Sequence, residues 1–185
     1  HEVKLGESSV VVSVMAGISL ERLAEELGTT RVVRSIPSVA ARVGASMTVW
    51  IGHSSLTPQE RTNVQQLFEA MGEEIEVEEE ATLDAAGVTG CIAGWLYHVL
   101  SLFEEQAEKL GFSPEQAQEI VRQMFIGAAK ITEGDERSFT ELRGSAASKG
   151  GVTESGIAVL SNRDLSGIMQ EVFETALKRV RELGL

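Results

Sequence analysis

Residues 92–110 read IAGWLYHVLSLFEEQAEKL, and the placing of their apolar side chains decides how the chain is built. Ile92, Leu96, Val99, Phe103, Ala107 and Leu110 recur at steps of three or four, the period of one helix face, and Gly111 closes the run. Trp95, Tyr97, Leu100 and Leu102 place apolar groups on other sides of the same helix. A helix apolar nearly all round must be covered nearly all round, and the few neighbouring helices can hardly do that. A partner subunit is therefore expected, with a compact monomeric bundle as the alternative.

Downstream the helical period continues. Ser113-Pro114-Glu115-Gln116 is a helix-opening signature that leads into Ala117, Val121, Met124, Ala128 and Ile131 on one face, before Gly134. Ser138 with Glu141 opens a shorter helix, and Leu165, Met169, Val172, Ala176, Val180 and Leu183 form the last. Upstream the pattern differs. Ser9–Met15 (SVVVSVM) is a β-branched run of the kind buried on both faces of a parallel sheet, and Ser19 opens a short helix stopped by Gly28. Residues 31–35 and 47–52 read as further strands. Thr57, Pro58 and Glu60 form a capping box, Gly72 stops that helix, and residues 73–77 suggest an edge strand. The fold class expected is α/β followed by all-α, with an α/β portion over residues 1–80 and a helical one over 81–185.

Composition bounds the function. The 185 residues are 43% hydrophobic and 24% charged, ordinary globular values, with a net charge of −12. So acidic a chain lacks the electrostatic footprint for nucleic acid or anionic lipid. No apolar run approaches a membrane span, so no membrane is expected as partner. The single cysteine, Cys91, cannot form an internal disulfide, which suits a cytoplasmic setting. With three scattered histidines, His1, His53 and His98, it leaves no credible metal site. The chain opens on His1 rather than Met, which reads as a fragment, a processed product or a trimmed chain.

The candidate site is Ser148-Lys149-Gly150-Gly151-Val152-Thr153. Two glycines let the backbone approach a ligand closely, and the helix that follows offers unpaired N–H groups and a dipole suited to a carboxylate. Read locally, the same residues are an ordinary helix start with Thr153 as N-cap. Six glutamates among residues 73–80 read as a solvated edge strand and loop, with calcium binding a weak rival. Cys91 near a helix start reads as a small buried thiol rather than a reactive one, His98 as a packed histidine, and His53 as an exposed loop residue.

Three stretches together carry a resemblance: Val32–Met47 (VVRSIPSVAARVGASM), Gly87–Trp95 (GVTGCIAGW) with its following helix, and Glu141–Leu160 (ELRGSAASKGGVTESGIAVL). In this order and spacing the chain resembles pyrroline-5-carboxylate reductase, which reduces a cyclic imine to proline with a nicotinamide cofactor. The resemblance implies the C-terminal part of a Rossmann-like nicotinamide-binding domain, then a helical dimerisation and substrate-binding domain. It implies NADP or NAD as cofactor, an imine carboxylate as substrate, and a homodimer or higher homo-oligomer. By the same resemblance Ser148, Gly150, Gly151 and Val152 hold the substrate carboxylate, and Thr153 hydrogen-bonds the ring nitrogen and protonates it through solvent. Glu136 matches an acid near that loop, although an exposed loop carboxylate is the bland reading. Pro37, Ser38 and Val39 line the nicotinamide side. Hydride transfer to the imine carbon needs no nucleophile or metal.

The sequence also departs from the family. The G-x-G-x-x-G fingerprint is not in it, so the chain is expected to start near the end of the dinucleotide-binding domain and to lack a tight cofactor site of its own. Ile36-Pro37-Ser38-Val39-Ala40 stands for Met-Pro-Asn-Thr-Pro, Cys91 and Ile92 replace small residues, and Lys149 stands where the family has proline. The alternatives are a non-catalytic dimerising or regulatory relative, and a reductase for a different imine or a β-hydroxy acid.

Overall fold

The computed structural model describes residues 5, 6 and 8–183. By their own contacts these divide into two compact units, residues 1–93 with 173–185, and residues 94–172.

The first unit is a mixed sheet in the order β1 (Val11–Ser13), β2 (Val32–Ile36), β3 (Ser46–Gly52), β4 (Gly72–Glu76). β1 runs parallel to β2, with Val12 opposite Val33, and β3 parallel to β4, with Val49 opposite Ile75. β2 and β3 are antiparallel, with Ser35 opposite Trp50. Each parallel pair needs a crossover, supplied by α1 (Leu20–Leu27) and α2 (Pro58–Glu69). Both helices start and stop on local chemistry. Ser19 accepts from the Arg22 N–H at 3.2 Å and Gly28 ends α1 at φ 64°. Thr57 and Glu60 close the expected capping box on α2, with Pro58 in its first turn.

The strand buried on both faces is β2, where Val32, Val33, Arg34 and Ser35 are all buried. The sequence had pointed to residues 9–15, but β1 has only three residues and a sheet neighbour on one side among the described strands, and only Ser13 in it is buried. On one face Val33 and Trp50 pack with Val64 and Phe68 of α2, the Trp50 and Phe68 rings 5.8 Å apart and tilted by 50°. Leu83 and Val88 of α3 (Glu80–Thr89) are also buried.

Gly72 does not stop α2, which is capped at Ala70; it opens β4 at φ 141°, where a Cβ would run into the Ser46 backbone. The glutamate run is less solvated than its charge suggests. Glu74 accepts from the Trp50 indole N–H, Glu76 pairs with Arg61, and Glu80 pairs with Arg34.

The second unit is helical: most of α4 (Ile92–Lys109), then α5 (Pro114–Thr132), α6 (Phe139–Ala146), α7 (Val152–Asn162) and the start of α8 (Leu165–Leu183). The capping boxes at Ser113 and Ser138 form as read. Its buried hydrophobic side chains are Ala117 and Val121, and α4 has no buried residue. Tyr97, Phe103, Leu110, Met124 and Phe139 all stand exposed. The helical stretch 80–109 is long and apolar enough by length and composition to cross a membrane. By length and composition the expectation that no run approaches a span is too strong, since α3 and α4 follow each other almost without a break; helices of soluble proteins pass the same test.

Candidate functional site

Residues 148–153 form the link from α6 to α7, and the two glycines are needed for different reasons. Gly150 sits at φ 73°, a left-handed conformation that side chains disfavour. Gly151 has ordinary extended backbone as the N-cap of α7, but a Cβ there would meet the Ser148 hydroxyl and lie 2.8 Å from the Ser148 carbonyl oxygen. The Gly151 N–H donates to that carbonyl at 2.9 Å, closing the turn. Thr153 is therefore not the N-cap; it lies inside the first turn of α7, where a helix leaves N–H groups without intrahelical partners. The Glu154 carboxylate accepts from the Gly150 N–H at 2.6 Å. The N–H groups of Val152 and Thr153 and the Thr153 hydroxyl make no hydrogen bond within the described residues.

In the single chain this turn is open. Ser148, Gly150 and Thr153 are exposed, and Val152 is 92% exposed. Glu136 is exposed on the α5–α6 loop and is hydrogen-bonded to none of residues 148–153. Its neighbours form a two-pronged pair, with Arg137 Nε at 3.0 Å and Arg137 Nη2 at 2.6 Å from the Asp135 carboxylate. That guanidinium holds the Asp135 carboxyl down to about 2. Elsewhere in the unit, an apolar groove of about 780 Å³ runs between α5 and α6, lined by Phe125, Ile131, Phe139 and Leu142 among others.

Pro37, Ser38 and Val39 belong to the other unit, at the carboxyl end of β2. Ser38 is occupied structurally. Its N–H donates to Ser46 Oγ at 3.0 Å, and its hydroxyl accepts from the Ala40 N–H at 3.3 Å, capping a short 3-10 turn over Val39–Val43. Val39 is 61% exposed. The turn after β1, with Gly17 at φ 75°, follows the carboxyl end of the adjacent parallel strand, the edge at which sheets of this kind bind ligands. Of Pro37, Ser38 and Val39, only Val39 is exposed; Pro37 and Ser38 are half-buried. Nothing in the 185 residues supplies the glycine fingerprint for a pyrophosphate.

Three single residues differ from their sequence reading. Cys91 is exposed, not buried, its thiol 3.5 Å from the Gly87 carbonyl. His98 is exposed on α4 rather than packed, and His53 is half-buried, its Nδ1 accepting from the Ser55 N–H at 3.2 Å. Among the described residues no group of three or more His, Cys, Asp or Glu is placed to hold a metal ion.

Sequence reasoning missed a cluster in the first unit. Arg34 of β2 is 3% exposed, with Nη2 2.7 Å from Asp84 and Nη1 3.4 Å from Glu80, while its Nε is buried without an acceptor. Glu80 Oε1 also accepts from the Leu20 N–H at 2.5 Å. An arginine inside a β-branched run, with acids four residues apart at a later helix start, is the signal that could have found it.

Comparison with known proteins matches residues 79–183 to the family model for pyrroline-5-carboxylate reductase dimerisation. Pyrroline-5-carboxylate reductase of Staphylococcus epidermidis is 32% identical over 174 residues, 94% of this chain and 64% of the relative. That of Staphylococcus aureus is 33% identical over the same shares. The chain thus spans 64% of the length of these curated relatives. Among solved structures, a pyrroline-5-carboxylate reductase from Coxiella burnetii superposes with a TM-score of 0.89 at 24% identity, over 97% of this chain and 68% of that one. Pyrroline carboxylate reductase of Plasmodium falciparum, solved with NADP bound, gives 0.84 at 20% identity, over 96% and 72%. At those identities the likeness establishes the fold, a Rossmann-type sheet followed by a helical dimerisation region.

Proposed function

Because the chain belongs to the pyrroline-5-carboxylate reductase family, we propose that it is part of an enzyme that reduces a cyclic imine carboxylate, pyrroline-5-carboxylate, to proline with NADPH or NADH. The observation that carries this reading is the turn at 148–153: a left-handed Gly150, a Gly151 without room for a side chain, and a helix start with open N–H groups beside the Thr153 hydroxyl.

Residues 1–80 contribute to the cofactor-binding domain and 81–185 form the dimerisation and substrate domain, a division supported by the family model's start at residue 79. The ring carboxylate is received by the first turn of α7. Glu154 already occupies the Gly150 N–H, so the groups offered are those of Val152 and Thr153. Ser148 flanks them, and Glu136 adds a carboxylate from the neighbouring loop. The Thr153 hydroxyl holds the ring nitrogen and passes it a solvent proton as the imine becomes an amine. Pro37, Ser38 and Val39 hold the ring of the nicotinamide. When bound, that cofactor supplies the hydride that the imine carbon accepts. The chain's own work is orientation and charge placement.

The enzyme works as a homodimer or a larger homo-oligomer. The apolar side chains of α4, α5 and α7 face solvent in the single chain, and a second copy covers them and walls the open 148–153 turn. An exposed lone thiol at Cys91 suits a cytoplasmic setting.

The test is oxidation of NADPH and NADH by the full-length protein on addition of pyrroline-5-carboxylate. Turnover is expected, and Thr153→Ala should lower it by about 10- to 100-fold, the worth of one hydrogen bond to a charged group. No turnover and no cofactor binding would instead support a non-catalytic dimerising relative.

A further inference from the structure

We propose that Arg34 is a positioning residue: held by Glu80 and Asp84, it fixes the two loops that receive the nicotinamide end of the cofactor. The inference rests on the reading of Pro37–Val39 given above. Arg34 is buried while the Glu80 and Asp84 side chains are 33% and 41% exposed, so the guanidinium bears most of the desolvation cost, and such a pair is a poor device for stability. Arg34 bears an added cost, since its Nε is buried with no acceptor. A guanidinium kept at such a cost is better explained by the geometry it sets.

That geometry joins three elements. Arg34 lies two residues before Ile36, the last residue of β2, from which Pro37–Val39 continue. Glu80 and Asp84, one turn apart on α3, grip Arg34 from one side. The same Glu80 oxygen accepts from the Leu20 N–H, at the first residue of α1, directly after the turn that carries Gly17. One carboxylate therefore ties the end of the β1–α1 turn to the strand that feeds Pro37. Further along α3, Gly87 and Gly90 face the Ile36 side chain, so the same helix seats the end of β2 sterically as well. Beside the cluster is a small cavity of about 290 Å³, which Gly17, Ser19 and Arg34 help to line. Loss of the Glu80 charge should leave the sheet intact and free both loops.

The experiment compares the full-length protein with its Glu80→Gln and Arg34→Lys variants, using Glu79→Gln, an exposed neighbour without a side-chain cap bond, as control. Two readouts are taken: steady-state constants, and amide hydrogen exchange along residues 14–20 and 36–40. In Glu80→Gln the KM for reduced cofactor should rise about tenfold with kcat little changed, and exchange at the Leu20 amide should quicken by a similar factor, the worth of one charge-assisted hydrogen bond. Arg34→Lys should move both in the same direction and Glu79→Gln neither. If the wild type turns nothing over, the reductase reading fails, and the exchange measurement still decides the positioning role. Unchanged exchange in both loops would overturn the proposal. So would an equal fall in kcat and thermal stability with KM unaltered, the mark of a merely structural pair.

Discussion

Asp135 gives the residue scale its sharpest pH signature. Its carboxyl is lowered from 3.8 to about 2, first by the Arg137 side-chain hydrogen bonds, then by the Arg137 backbone N–H. A depressed acid contributes stability above its unfolded value and loses it as pH falls, so this contribution fades between about pH 4 and pH 2. Carboxyl NMR should place the Asp135 midpoint near 2, and Arg137→Gln should return it toward the ordinary value. A wild-type midpoint at the ordinary value would contradict the pair. Residues were legible in the sequence where the chemistry is local. The glycine pair at 150–151 was read for close approach to a ligand; in the structure Gly150 takes a left-handed backbone and Gly151 is crowded by the Ser148 turn. Thr153 was misplaced by two positions as a cap, since Gly151 takes that role. Cys91 was read as a small buried thiol and His98 as packed by Trp95 and Leu102, but Leu102 is exposed, Trp95 only half-buried, and α4 has no buried residue. Arg34 escaped notice because its partners lie about fifty residues away, beyond any local pattern.

At the level of elements, hydrogen-bonding signatures were the most dependable guide. The starts at Thr57, Ser113 and Ser138 all carry their reciprocal caps. Strand burial was harder to read, because a β-branched run such as 9–15 looks the same whether neighbours flank it on one side or both. α3 was not read at all: the sequence reading began its helix near residue 92, and the start of α3 at Glu79 carries no side-chain cap bond to mark it. The two units should answer truncation differently. Phe68, 1% exposed against Trp50, belongs to a closed core, and Phe68→Ala should cost about 3–5 kcal/mol in urea unfolding. Phe103, 57% exposed on α4, has no such core around it. Phe103→Ala should instead weaken subunit association in sedimentation, with the unfolding of the sheet unit unchanged. A loss at Phe103 seen in the sheet unit alone would contradict this division of labour.

For the whole molecule, the α/β-then-helical architecture was legible because the hydrophobic period changes near residue 80, and the family followed from three motifs in order. The candidate site was legible as a sequence but not as a place. Ser148, Val152 and Thr153 stand open in the single chain, and no pattern within the 185 residues says what covers them. The account stands on the first turn of α7 as the seat of a small ring acid. A crystal structure of the full-length protein with proline bound tests this most directly. The proline carboxylate should lie within hydrogen-bonding distance of the Val152 and Thr153 N–H groups, with the ring nitrogen at the Thr153 hydroxyl. Proline bound elsewhere, with residues 148–153 open to solvent in the assembled protein, would contradict it.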